Sequence, residues 1–346
     1  MKKISNIYNQ IISKENLYTA VHNAAKSKRY NAVVSDFLFS QEKNVDILHA
    51  QLRDRTYKHG KYRIFKIKDP KQREIAAAPF ADRVVHHAVC DVIEPVIDKT
   101  FIYDSYACRK DKGTHKAMYR AQKFCLKNRY SLHMDISKYF KNIDHKILKR
   151  LLLRQIDDPR LIWLLFHIIE SSPKQFFNKG LPIGNLTSQL FANMYLHEVD
   201  MFIKHRLKEK YYIRYMDDML IFCNDKQGLL NIKSIVEKFL KEQLSLDLNK
   251  GKSQLFDTRK GFNFLGFRMS QKHRRLCSDN VRRFRKRLYG FEQMLANKII
   301  TEEKVQDSIR CWVAHASYGH TKSLCNSMCN HILKKKMKVC KITDKL

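Results

Sequence analysis

Three aspartates carry the chemistry that this sequence could do. Two are adjacent, Asp217 and Asp218, in the middle of the apolar, β-prone run YYIRYMDDMLIFC (Tyr211 to Cys223). The third, Asp135, ends a short apolar stretch in SLHMDISKYF. Aromatic and aliphatic flanks predict two short strands joined by a tight hairpin with Asp217 and Asp218 at its tip. Two carboxylates about 4 Å apart repel by ~1 kcal/mol in water and ~4 kcal/mol at a surface-like dielectric, so the pair demands a raised pKa or a bound cation. Taken alone, the dipeptide also fits a polar turn in solvent, and Asp135 also fits a cap on the helix that follows. If the two stretches lie side by side, three carboxylates from two strands converge, and one or two divalent ions would hold them together. Such a site stabilises the attacking and leaving oxygens of an in-line phosphoryl displacement.

Charge narrows the partners of that chemistry. The 346 residues include 67 Lys+Arg against 34 Asp+Glu, a formal net charge of +33, with a pI near 9.8. Basic residues run along the whole chain, as in a polyanion binder, and binding should weaken steeply with salt. Charge alone also fits ribosomal-type and membrane-surface proteins. A hydrophobic fraction of 44% excludes a disordered chain and allows a large core. No apolar run approaches the ~20 residues that span a bilayer, and Leu161 to Ile169 reads as a buried helix. Nine cysteines without paired spacing, and no signal-peptide pattern at the N-terminus, imply a reducing, cytoplasmic location. Cys325, Cys329, His331 and Cys340 form one metal-like cluster. Its spacing is loose and its segment reads as helical, so buried thiols fit better than zinc.

The elements that must position the aspartates follow from periodicity. Residues 1 to 58 read as helical, with Leu17, Val21, Ala24, Val33 and Phe37 at helical spacing. Tyr62 to Phe80 switches to alternation around an Asp69-Pro70 turn, a hairpin carrying Lys66, Lys68, Lys71 and Arg73. That hairpin could hold a triphosphate or be a solvated basic turn. Asp82 to Asp98 has the spacing of an amphipathic helix. The loop YDSYACRKDKGTH interleaves Tyr103 and Tyr106 with Arg109, Lys110 and Lys112, which suits a nucleic-acid strand. Gly180 to Asp200 is a turn that becomes a helix near Thr187 or Ser188, with Leu190, Met194 and Val199 facing inward. Its two glycines, Gly180 and Gly184, let a ligand approach the backbone closely. Asn231 to Leu244 reads as a helix, Leu244 to Phe256 as a strand with Lys250 and Lys252, and GFNFLGFRM (Gly261 to Met269) as another with a bend. From Asp279 onward the chain is basic and helical, either a solvated face or a groove for duplex. There is no P-loop, since Leu246 stands where the first glycine before Gly251-Lys252-Ser253 would be needed.

Taken in order, these blocks resemble the reverse transcriptases. Asp135 in MDISKYF, the GNLTSQ turn, YMDD at Tyr215 to Asp218, Lys252 and FLGF at Phe264 to Phe267 match that family's successive sequence blocks over roughly residues 60 to 320. The resemblance implies an α+β, right-hand polymerase fold. Residues 1–60 would form an N-terminal helical extension, 61–130 fingers, 131–270 a palm with interleaved fingers elements, and 271–346 a helical thumb. It implies Asp135 and Asp217 as ligands of two Mg2+ ions, with Mn2+ a possible substitute, helped by the Ile136 carbonyl and with Asp218 completing the acidic cluster. Lys68 and Arg73 would hold the triphosphate, Lys252 would sit near the leaving group as a candidate proton donor, and Phe140 would block a ribose 2′ hydroxyl. Tyr215 and Met216 would lie under the primer end. Phe264, Leu265, Gly266 and Phe267 would form the primer grip, and Arg109 and Lys110 would contact the template strand.

The finer resemblance is to reverse transcriptases of diversity-generating retroelements, bacterial or phage-encoded. Most reverse transcriptases carry QGxxxSP at the glycine turn, whereas this chain has Ile183, Gly184, Asn185, Leu186, Thr187, Ser188 and Gln189, the IGxxxSQ form of that group. It implies copying of a structured template-repeat RNA, from dNTPs, into cDNA with errors opposite adenine, and a small basic pentameric accessory protein as partner. With Ile183 in place of glutamine, the expected nucleotide pocket would lack one hydrogen-bonding side chain, so pairing geometry would be checked less stringently. After the thumb, no room is expected for an RNase H or endonuclease domain. The rivals are a group II intron-like or phage-defence reverse transcriptase, and a basic RNA-binding scaffold that keeps the fold without catalysis.

Overall fold

The computed structural model describes residues 3–68, 72–173 and 178–334; the predicted Asp69-Pro70 turn and Lys71 lie outside them. The chain opens with four helices, α1 (Tyr8–Ile12), α2 (Lys14–Ala25), α3 (Ala32–Phe39) and α4 (Gln41–Arg53), followed by strands β1 (Arg63–Ile67) and β2 (Arg73–Ala77). Helices α5 (Phe80–Asp98) and α6 (Thr114–Lys127) lead to β3 (Tyr130–Asp135). Then come α7 (Tyr139–Asn142), α8 (His145–Gln155), α9 (Pro159–Glu170) and α10 (Leu186–Met201), which ends in a π-turn. The predicted acidic hairpin is β4 (Tyr212–Tyr215) and β5 (Asp218–Cys223). It is followed by α11 (Lys226–Leu244), β6 (Gln254–Asp257), β7 (Phe262–Phe264), β8 (Phe267–Met269) and β9 (Arg274–Leu276). Three helices close the described chain, α12 (Ser278–Ala296), α13 (Glu302–Ala316) and α14 (Lys322–Lys334). Helices and antiparallel pairings make this the expected α+β class. The sheets have the orders β1-β2, β4-β5-β3-β6 and β7-β8-β9.

The chain divides into two compact units. The first comprises Met1–Asp111, Met134–Met219 and Asn231–Ser253. Its spine is α5, which packs against α1, α2 and α10 through Val84, Val85, Ala88, Val89 and Ile93, all buried. Each valine or isoleucine among them is worth about 1.5–3 kcal/mol when fully buried. Helix α10 is buried on nearly every side, as a helix in the middle of a core must be, with Leu190, Met194 and Val199 facing inward as expected. Asp144 and Asp158 cap α8 and α9 by accepting backbone N–H bonds, each cap worth about 1 kcal/mol. In α3 the inward residue is Val34, and Val33 is 63% exposed, so the buried face lies one residue later than the apolar spacing implied.

The second unit comprises Lys112–His133, Leu220–Leu230 and Gln254–Leu346. Within it the first half of β3 pairs antiparallel with β6, Tyr130 opposite Asp257. The stretch Gly261 to Met269, expected as one bent strand, is a hairpin: Leu265 and Gly266 both have positive φ, 48° and 86°, the pattern of a type I′ turn between β7 and β8. Phe284 of α12 stacks on Trp312 of α13 with ring centroids 4.0 Å apart. The solvent side of α12 carries Arg282, Arg283, Arg285, Lys286 and Arg287, all exposed.

Candidate active site

The acidic hairpin turns one residue earlier than its sequence implied. Met216 and Asp217 form the turn, and Asp218 is already the first residue of β5. Met216 has φ 55°, so this two-residue turn has a left-handed residue at its first position, where hairpins favour glycine. A non-glycine residue held there costs of order 1–3 kcal/mol. Its carbonyl, that of the Met216–Asp217 peptide, accepts a hydrogen bond from Arg214 Nη1 at 3.2 Å.

Asp135 is held by the segment that precedes β6. Asn249 N–H donates to the Asp135 carbonyl at 2.7 Å, and Ser137 N–H donates to Asp247 O at 2.9 Å, so that Ile136 bridges Leu248. Asp135 N–H donates to Ser253 Oγ at 3.3 Å. These bonds bend residues 249–252 into a turn, which corrects the reading of Lys252 as a strand residue. The turn delivers Lys252 Nζ to both carboxylate oxygens of Asp135, at 2.7 Å each. Asp135 is buried, while the Lys252 side chain is half exposed.

Asp217 joins the same group electrostatically. Burial, then the Asp218 carboxylate and more weakly that of Asp135, push its pKa up to about 6 against the partial relief given by its own N–H and by Lys252. Among the described residues no three acidic, histidine or cysteine side chains are drawn together as a ready ligand set, and on Asp135 the ammonium of Lys252 stands where a cation would. The donor chemistry fits a hard divalent ion: carboxylate oxygens from two chain segments, one of them kept basic by burial and by neighbouring carboxylates.

The residues expected on the nucleotide side are placed as follows. Lys68 follows β1 and Arg73 opens β2, paired with Ile67, and both are exposed. Ala76 N–H of β2 donates to Ile183 O at 3.0 Å. That bond sets the Ile183-Gly184 turn against the hairpin. Gly184 has φ +120°, and a Cβ there would lie 3.0 Å from Ile75 Cγ2. The turn after Asp135 passes through Lys138 at φ 45°. It leaves Tyr139 buried, its hydroxyl donating to Ala192 O at 2.5 Å, and Phe140 half-buried against the Tyr139 ring. Tyr215 and Met216 are half-buried.

Two expected contacts are placed differently. Arg109, read as a template contact, has a side chain only 6% exposed: its guanidinium grips the Asp98 carboxylate and donates to the carbonyls of Ile102 and Ser105 at 2.8 Å. It closes its own loop, and the exposed cation of the pair is Lys110. In the second unit Phe264 and Phe267 are buried, Phe267 against His315, so the FLGF hairpin turns Leu265 and Gly266 outward. Cys325 is buried; Cys340 and the side chains of Cys329 and His331 lie outside the described residues. No helix among the described residues is long and apolar enough to cross a membrane.

Sequence reasoning missed Arg214. It lies in β4, the strand that leads into the YMDD block, is fully buried, and pairs with the equally buried Asp200 at 2.7 Å. Burial works to lower its pKa, but the Asp200 carboxylate more than offsets this, and the net shift is upward. The signal was an arginine inside an otherwise apolar strand, YYIRY.

Comparison with known proteins places the chain. Residues 64–269 match the family described as reverse transcriptase (RNA-dependent DNA polymerase). The chain is 26% identical to protein YkfC of Escherichia coli (strain K12) over 248 residues, covering 59% of this chain and 65% of that protein. It is 27% identical to the group II intron-encoded protein LtrA of Lactococcus lactis subsp. cremoris over 217 residues, covering 59% of this chain and 36% of that protein. The chain thus spans less than two thirds of the length of either relative. The apo telomerase structure from Candida tropicalis aligns with 62% of this chain and 48% of its own, at 11% identity and a TM-score of 0.47.

Proposed function

Because the chain belongs to the reverse transcriptase (RNA-dependent DNA polymerase) family, with its right-hand polymerase fold, we propose that it is an RNA-directed DNA polymerase centred on Asp135, Asp217 and Asp218. The observation that carries this is the electrostatic coupling of Asp135, at the end of β3, with Asp217, in the turn of the acidic hairpin, while Lys252 pairs with Asp135. Reverse transcriptases use divalent metal ions, and here Asp135, Asp217 and the Ile136 carbonyl would hold Mg2+, or Mn2+ in its place. Such ions, when bound, stabilise the charge on the attacking and leaving oxygens.

The reaction is attack of a primer 3′ hydroxyl on the α-phosphate of a dNTP, with pyrophosphate leaving. Lys68 and Arg73, exposed on one hairpin, neutralise the triphosphate. Lys252 Nζ is the proton donor to the pyrophosphate. Phe140 stands against the sugar, and the Ile183-Gly184 turn against the incoming base. On this reading residues 1–60 would be the extension, 61–130 the fingers, 131–270 the palm with interleaved fingers elements and 271–346 the thumb, whose basic α12 would contact the RNA/cDNA duplex. Leu265 and Gly266 meet the primer, and Lys110 the template. The test is dNTP incorporation on an RNA template with Mg2+, with Asp217→Ala/Asp218→Ala as control. Incorporation lost in the control supports the reading, and a wild-type chain that incorporates nothing, even with its cognate RNA, moves the weight to a binding scaffold.

Two finer readings are each favoured by one observation. The Ile183-to-Gln189 block favours a diversity-generating enzyme that copies a template-repeat RNA with errors at adenine and works with a small pentameric partner. The similarity to LtrA, a group II intron-encoded protein, favours an intron-type enzyme. Sequencing the cDNA separates them: errors concentrated at template adenines, reduced by Ile183→Gln, support the first, and faithful cDNA supports the second.

A further inference from the structure

Arg214 spends its whole guanidinium on three partners. Nε and Nη2 donate to the two Asp200 oxygens at 2.8 and 2.7 Å, and Nη1 donates to Asn193 Oδ1 at 3.1 Å and to Met216 O at 3.2 Å. The partners are themselves fixed. Asp200 also accepts from Tyr212 OH at 2.7 Å. Asn193, seven residues before Asp200 and so on the same face of α10, donates to Ala107 O at 2.9 Å. Arg214 and Asp200 are both 0% exposed. The backbone of Arg214 is anchored too, its N–H donating to Asp104 O and its carbonyl accepting from Tyr106 N–H.

We infer that Arg214, oriented by Asp200 and Asn193, is a positioning residue that sets where the Asp217 carboxylate stands by gripping the Met216–Asp217 peptide. The inference rests on the polymerase reading above. A simple buried ion pair would need only the two arms that reach Asp200. The third arm reaches past the strand to the carbonyl that precedes Asp217, at the one residue of the hairpin whose φ is left-handed. A charge-assisted hydrogen bond to that carbonyl holds a peptide that the backbone would otherwise relax. Lysine, with a point charge in place of a planar fork, could neutralise Asp200 but could not reach Met216 O in the same pose.

The test compares the full-length wild type with Asp200→Asn/Arg214→Gln, which replaces the buried charges by a neutral hydrogen-bonded pair, and with Arg214→Lys. Thermal unfolding, Mn2+ binding read from the electron paramagnetic resonance of the free ion, and steady-state incorporation are followed together. The expected result for a folded variant is Mn2+ binding weakened about tenfold and kcat lowered about a hundredfold, with KM for dNTP unchanged. A merely structural role would move the unfolding temperature and leave these two readouts alone. A folded double variant with wild-type Mn2+ affinity and kcat overturns the inference; if the double variant does not fold, Arg214→Lys decides it on the same criteria. A wild type that binds Mn2+ without incorporating dNTP, and loses that binding in the variants, sinks the polymerase reading and keeps the positioning role. One that does neither sinks both.

Discussion

Lys252 Nζ sits 2.7 Å from each carboxylate oxygen of Asp135, in a turn that Asp135 itself anchors through Asn249 N–H. The lysine is thus held on the carboxylate by two routes, one through its charge and one through the backbone. A cation that takes both Asp135 oxygens must displace the ammonium, which on the proposed polymerase reading would then be free beside the leaving group.

Lys252→Met should therefore tighten divalent binding while slowing turnover. With the lysine half exposed, the ion pair is worth about 1 kcal/mol, which corresponds to roughly fivefold in Mn2+ affinity. Loss of a general acid lowers kcat by about a hundredfold or more. Calorimetric titration with Mn2+ alongside single-turnover incorporation checks both, and unchanged Mn2+ affinity would show that the ammonium does not compete.

Asp217 makes the site costly to fold. Its folded pKa of about 6 lies above the ordinary carboxylate value. Between about 4 and 6 the folded chain therefore keeps a proton that the unfolded chain has released, and stability falls as pH rises through that window. Asp217→Asn should abolish incorporation yet stabilise the chain at pH 7 by about 2 kcal/mol, with the gain vanishing below about pH 4. Denaturant midpoints at the two pH values decide it, and an Asn variant no more stable at neutral pH contradicts the assignment.

Acid should weaken the first unit through His86. Both ring nitrogens are buried without a partner, and burial, helped by His59 and His87, pushes the pKa down to about 3. Below the ordinary histidine value near 6.5 the unfolded chain binds a proton that the folded chain refuses, so stability falls with falling pH until about 3. The loss is about 2 kcal/mol between pH 6.5 and 5. His86→Leu should remove most of that slope from a series of urea unfolding curves; a variant that tracks the wild type at every pH excludes His86 as the cause.

Gly184→Ala tests the turn proposed to lie against the incoming nucleotide. Its φ of +120° and the 3.0 Å approach to Ile75 Cγ2 predict a loss of about 1–3 kcal/mol in stability. Because Ile183 O holds β2 through Ala76 N–H, the KM for dNTP should rise while template affinity stays level. A variant with wild-type KM and stability would show that the turn tolerates a side chain.

The aspartates were legible because a carboxylate inside an apolar strand is costly to bury and calls for a cation or a proton, and the hairpin was legible because strand alternation is local. What the local pattern could not give was decided by distant partners. Lys252 looked like a strand residue until the bonds from residues 247–253 to Asp135 and its neighbours made it a turn. Arg214 sits 14 residues from Asp200, on a different element, so YYIRY marks the arginine as out of place without naming the partner that lets its charge point into the core. Arg109 had the composition of a nucleic-acid contact, but a nearby Asp98 and two carbonyls claimed its donors. The left-handed Met216, a type of residue seldom found there, moved the tip by one position.

The segment from Asp104 to Tyr106 lies along β4 as a short parallel partner, bridging Ser105 to Arg214 and taking the N–H and carbonyl of Arg214. A strand whose outer edge is already hydrogen-bonded offers no template for a foreign strand. At this flank of the acidic hairpin, chain-to-chain stacking is therefore blocked by backbone geometry rather than by charge. High salt, which screens the repulsion between highly basic copies, leaves that protection in place.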